Sequence, residues 1–238
     1  MESTSLAFPH WNLSRIAGAE STKRAFLNLL EQKDRPDFIF VACHGLMFAR
    51  NDKLAEMDQG SLVCADWPGS GPVLREHYVS ASDIGAFSDL RGLQLIRFTA
   101  FGAGSPSKTD FAFVAGGNPE IAPQPFVSPL AKRLLGRRRG ASALIAHVDK
   151  TWDSSFTWTG AGPQIQTFVN AVGAALSGKP IGLAQRHFSA RYAELATNLA
   201  SKLVVDAGYS KELVQLRMAT VDARNYIVFG DPAARIAL

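Results

Sequence analysis

The feature that most constrains this chain is an apolar run that ends in a glycine-rich turn between residues 94 and 106. It reads Q-L-I-R-F-T-A-F-G-A-G-S-P. The apolar part has the length of a buried parallel strand, and the glycines and Pro106 end it abruptly. In open α/β sheets, ligands and reacting groups gather beyond the carboxyl ends of the strands. We therefore expect Thr99 to Ser105 to lie at the functional edge of a sheet.

A second stretch follows the same pattern, because residues 37–45 read D-F-I-F-V-A-C-H-G. The glycine at its end allows a backbone N–H to come close to a ligand. If the two strands are neighbours, His44 lies beside the turn at residue 100. Cys43 directly precedes His44, so its side chain leaves the opposite face of the strand. We expect Cys43 to be a buried small hydrophobe rather than the partner of this histidine.

A third strand, residues 141–149, reads A-S-A-L-I-A-H-V-D and brings polar residues to the same edge. Helical patterns alternate with the strands, which predicts an α/β fold with a mainly parallel sheet and helices on both faces. We expect helices at residues 21–32, 82–90 (with Ile84, Phe87 and Leu90 buried), 130–135, 164–176 and 195–205, the last within a longer helix that starts near residue 184, and a last strand at 224–230.

Length and composition indicate one globular domain. The chain has 238 residues, 47% of them hydrophobic, enough for one core. We expect an N-terminal arm over residues 1–20 and a domain over 21–238. The apolar runs are too short to cross a membrane, no signal peptide pattern is present, and the two cysteines lack paired spacing. These features predict a soluble cytoplasmic protein. The net charge of +4 is modest, so nucleic acid is not expected as a partner.

Several segments, in the same order along the chain, resemble those of gingipain-like bacterial cysteine peptidases of the caspase–gingipain group. Those peptidases have segments such as F-A-C-Y-G-A-G-T-P, H-G-(L/M), D-W-P-G, G-H-V-D-(R/K)-x-W and G-D-P-A-x-R. The spacing of 100 − 44 = 56 residues is close to the roughly 50 between the caspase histidine and cysteine. The corresponding segments here are F-T-A-F-G-A-G-S-P from Phe98, Cys43-His44-Gly45-Leu46, Asp66-Trp67-Pro68-Gly69, Ala146-His147-Val148-Asp149-Lys150-Thr151-Trp152 and Gly230-Asp231-Pro232-Ala233-Ala234-Arg235.

The resemblance implies a caspase-like three-layer sandwich and a His-Cys dyad that cleaves polypeptides, with no metal or cofactor. His44 would be the general base or acid, and the N–H groups of Gly45 and residue 100 would form the oxyanion hole. Asp149, Trp152 and Phe101 would bind the substrate, with Asp149 favouring Arg or Lys before the cleaved bond. A turn-capping role for Asp149 is an equally good interpretation.

One departure from the family pattern changes the expected activity, because Ala100 stands where the nucleophilic cysteine belongs. A methyl group cannot attack a carbonyl, so the chain should be inactive. Thr99 should point to the other face and cannot replace the thiol. Two explanations remain open: an engineered Cys-to-Ala form of a peptidase, in keeping with a bacterial defence or cell-suicide system, or a natural pseudopeptidase that binds or regulates other proteins.

Two further alternatives concern the turn and the N-terminus. Gly102 and Gly104 follow a strand, as in nucleotide-binding folds, but the third glycine of that fingerprint is replaced by Ser107. We therefore rank nucleotide binding low. Only about 36 residues precede the His44 strand, fewer than related peptidases use for their first strands. The sheet is then shortened, or completed by another chain or by a removed segment, and an activating or regulatory protein chain is a candidate partner.

Overall fold

The computed structural model describes residues 8, 10–86, 88–115, 119–153, 156–158, 162–205 and 210–237. Its α-helices are α1 (Lys23–Glu31), α2 (Ala55–Asp58), α3 (Ala112–Ala115), α4 (Pro129–Leu135), α5 (Gln166–Leu176), α6 (Ile181–Val205) and α7 (Lys211–Arg224). Its strands are β1 (Phe38–Ala42), β2 (Leu62–Val63), β3 (Tyr78–Val79), β4 (Gln94–Phe98), β5 (Gly104–Ser105), β6 (Phe126–Val127), β7 (Ala143–His147), β8 (Thr157–Trp158), β9 (Gly162–Pro163) and β10 (Tyr226–Gly230).

The central sheet has four strands in the order β1-β4-β7-β10. The first three are parallel, and β10 runs antiparallel to β7. The fold is therefore α/β with a mostly parallel sheet, as the sequence predicts. The parallel strands end together, which places the segments after β1, β4 and β7 at one edge.

Helices cover both faces of this sheet. One core lies between the sheet and the helices α1 and α4, and includes Leu30, Leu95, Leu134 and Leu144. The other lies between the sheet and the helices α5 and α6, and includes Ile96, Ile145, Phe168 and Phe188. Helix α7 packs on α6 through Leu195, Leu216 and Ala219. Alternate residues of each strand enter opposite cores, which explains why the strands read as continuous apolar runs.

Hydroxyl side chains begin three of the helices. Thr22 accepts a hydrogen bond from the Ala25 N–H and so begins α1 one residue later than Ser21, which the sequence favours. Ser128 and Ser210 cap α4 and α7 in the same way. The helices predicted near residues 130–135, 164–176 and 195–205 are confirmed as α4, α5 and α6. Helix α7 is not among the sequence predictions.

The helix predicted over residues 82–90 is wrong. Among the described residues of this segment, only Ala81–Asp83 form a helical turn, of the 3-10 type, and there the Ser80 N–H donates to the Asp83 carboxylate. That carboxylate also forms ion pairs with Lys23 and Arg75, and the Leu90 N–H donates to the Arg139 carbonyl. Tertiary bonds thus take the groups that would continue a helix. Phe87, assigned to the same stripe, lies outside the described residues.

Strand β1 forms one edge of the sheet among the described residues. Cys43 donates its N–H to Phe98 and Gln94 donates to Asp37, so odd-numbered residues of β1 face β4. The backbone groups of the even-numbered residues point away from the sheet. Phe40, at the middle of this edge, is 42% exposed. A cavity of about 390 Å³ runs beside the edge and is bounded by β1, α1 and residues of the N-terminal arm such as Ile16.

The described part of the N-terminal arm is tied to the domain. The Trp11 indole N–H donates to the Leu176 carbonyl at the end of α5, at 2.7 Å. Residues 1–7 and 9 of the predicted arm lie outside the described residues. A search of the described helices finds none with the length and apolar character that crossing a bilayer requires.

Candidate active site

The site lies where β1 and β4 end side by side. Ala42 pairs with Phe98 in the parallel register, so two residues further along His44 comes opposite Ala100. The backbones make direct contact: a Cβ built on Gly45 would lie 1.9 Å from the Ala100 carbonyl oxygen. Only glycine allows this approach. The structure therefore brings together three residues that the sequence assigns to catalysis and the oxyanion hole.

Neither of the two predicted catalytic positions, 44 and 100, is fully buried. His44 is exposed and Ala100 is partly buried. Phe40 and Phe98, on the same strands at even-numbered positions, pack their rings against Phe168 of α5. Because side chains alternate along a strand, continuing this register directs positions 44 and 100 toward the α5 side of the sheet.

The side chains of Cys43 and Thr99 lie on the other face of the sheet, which packs against α1 and α4. Cys43 packs against the core formed with α1 and α4, and burial raises the pKa of its thiol to about 12. Thr99 is fully buried, and its hydroxyl oxygen is 2.5 Å from the Cβ that Gly102 would carry. Neither side chain can act on a ligand at the exposed edge, which agrees with the sequence interpretation.

The backbone N–H groups of Gly45 and Ala100 are unused within the described part of the chain. Gly45 bridges Leu62, and the flanking bonds run from Val63 N–H to the His44 carbonyl and from Leu46 N–H to the Ser61 carbonyl. The bridge thus leaves the Gly45 N–H unbonded. Neither this group nor the Ala100 N–H finds an acceptor among the described residues. Two adjacent unpaired donors are what an oxyanion hole requires.

The turn after β4 is held by the end of β7. The Phe101 N–H donates to the Asp149 carbonyl at 2.9 Å, and the Ala103 N–H donates to the His147 carbonyl at 2.8 Å. Phe101 takes φ = +55°, a conformation that is unfavourable for a bulky residue. Its side chain is buried beneath the turn. The end of β7 therefore fixes the conformation of this turn, and the direction of the residue 100 N–H depends on that conformation.

The predicted substrate-binding residues lie near the turn, but two of them are sealed. Phe101 is buried, and so is Asp149, whose carboxylate accepts hydrogen bonds from the Thr109 hydroxyl and from the N–H groups of Asp110 and Lys150, at 2.7 to 3.0 Å. Burial raises the pKa of Asp149. Here Asp149 ties loops together, as in the turn-capping interpretation, and its contact with substrate stays a prediction.

Trp152 is partly exposed and packs against Phe111, with 6.3 Å between the ring centroids. This aromatic pair lies on the segment that follows β7 and can form one wall of a pocket at the sheet edge. Its role in binding a substrate also stays a prediction.

Sequence reasoning missed a buried polar cluster behind β7. The Nδ1 atom of His147 is 2.9 Å from the Asp149 carbonyl oxygen and 3.1 Å from the Asp149 nitrogen, and its Nε2 atom is 3.5 Å from Asp222 on α7. Arg191 on α6 lies 3.6 Å from the same carboxyl group. Burial lowers the pKa of His147 to about 4, so the ring is neutral near pH 7. The sequence does not reveal this cluster, because its member Asp222 lies on α7, a helix that was not predicted.

A second missed residue is Arg97, which is 0% exposed in the middle of β4. The sequence does carry a signal for it, since a charged residue inside an otherwise apolar strand must find partners when buried.

Within the described residues, no group of three or more His, Cys, Asp or Glu side chains has the geometry to bind a metal ion.

Comparisons with known proteins give no relatives on which to base an assignment. No protein family matches the chain, and neither the curated proteins nor the solved structures include a significant match. The function must therefore be argued from the chemistry of the site.

Proposed function

We propose that this chain is the peptidase domain of a caspase- or gingipain-like cysteine endopeptidase, in an inactive form with alanine at the nucleophile position. In the active form a cysteine at position 100 would attack the peptide carbonyl, and His44 would accept its proton and pass it to the leaving amine, which leaves a thioester. Water, with His44 as general base, would then hydrolyse the thioester, release the acid product and regenerate the thiol. The N–H groups of Gly45 and residue 100 would stabilise the oxyanion.

The contact between Gly45 and Ala100 carries this proposal. This contact brings exposed His44 beside position 100, where replacing alanine by cysteine would supply the missing thiol. It also brings together two backbone N–H groups that have no acceptor among the described residues. An α/β sheet with its polar strand ends at one edge is the setting in which such chemistry occurs. The ordered motifs in the sequence support the same interpretation.

The test is to introduce Ala100→Cys and to assay fluorogenic peptides with Arg, Lys, Asp or an apolar residue before the cleaved bond. We expect cleavage of at least one peptide and none by the parent protein. The basic preference rests on Asp149, which is buried here, so the panel must include other classes. Ala100→Cys with His44→Ala should lose at least about 100-fold in kcat, in line with the loss of a general base.

A second readout does not require the correct peptide. Iodoacetamide should modify the thiol introduced by Ala100→Cys much faster than Cys43 and Cys64, because burial raises the pKa of those two thiols to about 12 and about 11. His44→Ala should slow the labelling of the introduced thiol. An introduced thiol no more reactive than Cys43, together with no cleavage in a folded protein, would refute the peptidase proposal.

The alternative is a natural pseudopeptidase that binds or regulates other proteins. The observation that favours it is Ala100 itself, since the backbone site is intact while the nucleophile is missing. The native coding sequence separates the two: a cysteine codon at position 100 supports the peptidase, and an alanine codon supports the pseudopeptidase.

A further inference from the structure

Arg97 is a buried cation three residues before the nucleophile position. It is 0% exposed and projects from β4 toward the core that holds Cys43, on the side away from His44. A buried charge costs several kcal/mol unless it is well satisfied. The contacts of its guanidinium group indicate what this residue does.

The guanidinium group bridges two loops by binding backbone carbonyls. One terminal nitrogen donates to the Gly60 carbonyl at 2.7 Å, and the other donates to the Gly102 carbonyl at 3.3 Å. Gly60 ends the loop that follows His44 and Gly45, whereas Gly102 belongs to the turn after β4. Arg97 thus joins the two segments that carry the candidate oxyanion donors.

Both glycines are neighbours of Phe101, because Gly102 follows it in the chain and Gly60 packs against it. The Gly60 backbone touches Phe101, since a Cβ on Gly60 would lie 2.1 Å from the Phe101 carbonyl oxygen. Phe101 is the residue held at φ = +55°. A conformation this unfavourable persists only when the surroundings fix it. The bonds from Arg97 are in the right place to do so.

We propose that Arg97 is a positioning residue: by binding the carbonyls of Gly60 and Gly102 around Phe101, it fixes the direction of the N–H of residue 100. This inference rests on the proposed function, because the N–H matters for catalysis only if a peptide carbonyl is attacked there. Lysine could not do the same, since only the planar guanidinium offers two donors at a fixed spacing.

Arg97 stays charged in its buried position. Burial lowers its pKa to about 10, which leaves it protonated near pH 7, and the neighbouring Cys43 thiol is neutral there because burial raises its pKa to about 12. Its contacts among the described residues are carbonyls rather than a carboxylate. Arg97→Met would leave the buried carbonyls of Gly60 and Gly102 without this donor, so some loss of stability is expected whatever the role of Arg97. A positioning role further predicts a loss of kcat with little change in KM in the folded protein.

The experiment compares Arg97→Met and Arg97→Lys in the Ala100→Cys protein. We expect kcat to fall about 10- to 100-fold in Arg97→Met with KM changed less than about 3-fold, because a misdirected oxyanion donor weakens transition-state binding alone. The kcat of Arg97→Lys should lie between the kcat of the Ala100→Cys protein and that of Arg97→Met in the same background. Arg35→Met is the matched control: Arg35 also donates to carbonyls, those of Pro36, Asp89 and Arg91, but at the opposite end of β1, and its loss should leave kcat unchanged.

A second measurement needs no activity and uses the parent protein with Ala100. Hydrogen exchange of the Phe101 and Ala103 amides should speed up at least about 10-fold in Arg97→Met, because the turn opens more often once its carbonyls are released, while amides of the β7–β10 ladder keep their protection. Unchanged kcat in Arg97→Met, or unchanged exchange at both amides, would overturn the role of Arg97. If Ala100→Cys cleaves no peptide, exchange alone decides whether Arg97 fixes the turn, and the peptidase proposal fails if the introduced thiol is also no more reactive than Cys43.

Discussion

At the scale of single residues, Gly45 is the position where the site tolerates least change. Its Cα lies so close to the Ala100 backbone that any side chain would overlap the Ala100 carbonyl. The φ angle of Gly45 is not in the left-handed region, so the requirement is one of space rather than of backbone conformation. A substitution here must push β1 and β4 apart at the point where His44 and Ala100 meet.

We predict that Gly45→Ala lowers the free energy of unfolding by about 1 to 3 kcal/mol through overpacking. In the Ala100→Cys protein it should also abolish peptide cleavage, since the Gly45 N–H would move. Urea denaturation and the peptide assay measure the two effects. Gly173→Ala on α5 is the control, because its nearest neighbour is 3.6 Å away and alanine favours helix, so stability should stay equal or rise. Equal effects of the two changes would contradict the crowding argument.

His147 is the residue whose titration should affect stability. Its ring is fully buried beside Asp149 and Asp222, and burial lowers its pKa from 6.5 to about 4. In the unfolded chain the ring binds a proton near pH 6.5, whereas in the folded chain it does so only near pH 4. The unfolded state therefore gains protons as the pH falls from 6.5 to 4, and stability falls over this range.

We predict that the parent protein loses about 3 kcal/mol of unfolding free energy from this residue between about pH 7 and about pH 4. His147→Asn keeps an acceptor for the Asp149 N–H and removes the titration, so its stability should fall less over the same range. Urea denaturation at both pH values measures the difference. Parallel losses in the two proteins would mean that His147 is not the group responsible.

At the scale of elements, the strand β1 is an unguarded sheet edge in the described part of the chain. Natural edge strands are commonly guarded by charges, proline or bulges. The sequence of β1 is F-I-F-V-A, and Phe40 is 42% exposed at its centre. Its outward backbone groups can pair with an extended segment of another chain. We therefore expect this edge to promote self-association of the isolated protein.

We predict that Phe40→Lys reduces concentration-dependent self-association and lowers the free energy of unfolding by about 0.5 to 1.5 kcal/mol, because the ring also packs against Phe168. Sedimentation velocity across a range of protein concentrations tests this. Val204→Lys serves as the control, because Val204 is also exposed but lies on α6 rather than on a strand. Self-association that falls equally in both variants would point to general surface hydrophobicity rather than to the strand edge.

The strands that carry the site could be predicted from sequence because each is a short apolar run with polar residues at its end. The runs before His44, Ala100 and Asp149 became β1, β4 and β7 in parallel order. Helix α7 was not predicted because its apolar residues do not form a clear stripe along one face of the helix. The helix at 82–90 failed for the opposite reason, since tertiary bonds of Asp83 and Leu90 override a helical pattern.

The contacts beneath the site could not be predicted, because they depend on which loops meet. Asp149 fits a pocket residue or a turn cap equally well from sequence, and only the loop containing Thr109 decides that its carboxylate is enclosed. Arg97 is visible as a charge in a strand, but its partners Gly60 and Gly102 are backbone carbonyls without a sequence signature. Side-chain types suggest chemistry, whereas burial depends on the whole fold.

At the scale of the whole molecule, the two sides of the sheet have different roles. The α5 and α6 side presents aromatic residues beneath His44 and Ala100, including Phe98, Phe156 and Phe168 in edge-to-face contact. The α1 and α4 side holds the polar supports of the same turn, among them Arg97 and the bond from Gln59 to Ser105. The site is thus backed by an apolar packing layer on one side and a hydrogen-bonded layer on the other.

The parallel pairing of β1, β4 and β7 also bears on the order of folding. His44 and Ala100 are joined by 100 − 44 = 56 positions of chain, whereas the helices α5, α6 and α7 pack mainly against their neighbours in sequence. Local contacts form fastest because they close short loops. We therefore expect the helices α5, α6 and α7 to gain protection first in pulsed-labelling experiments, and β1 to dock on β4 later. The site where His44 meets residue 100 would then be completed late in folding.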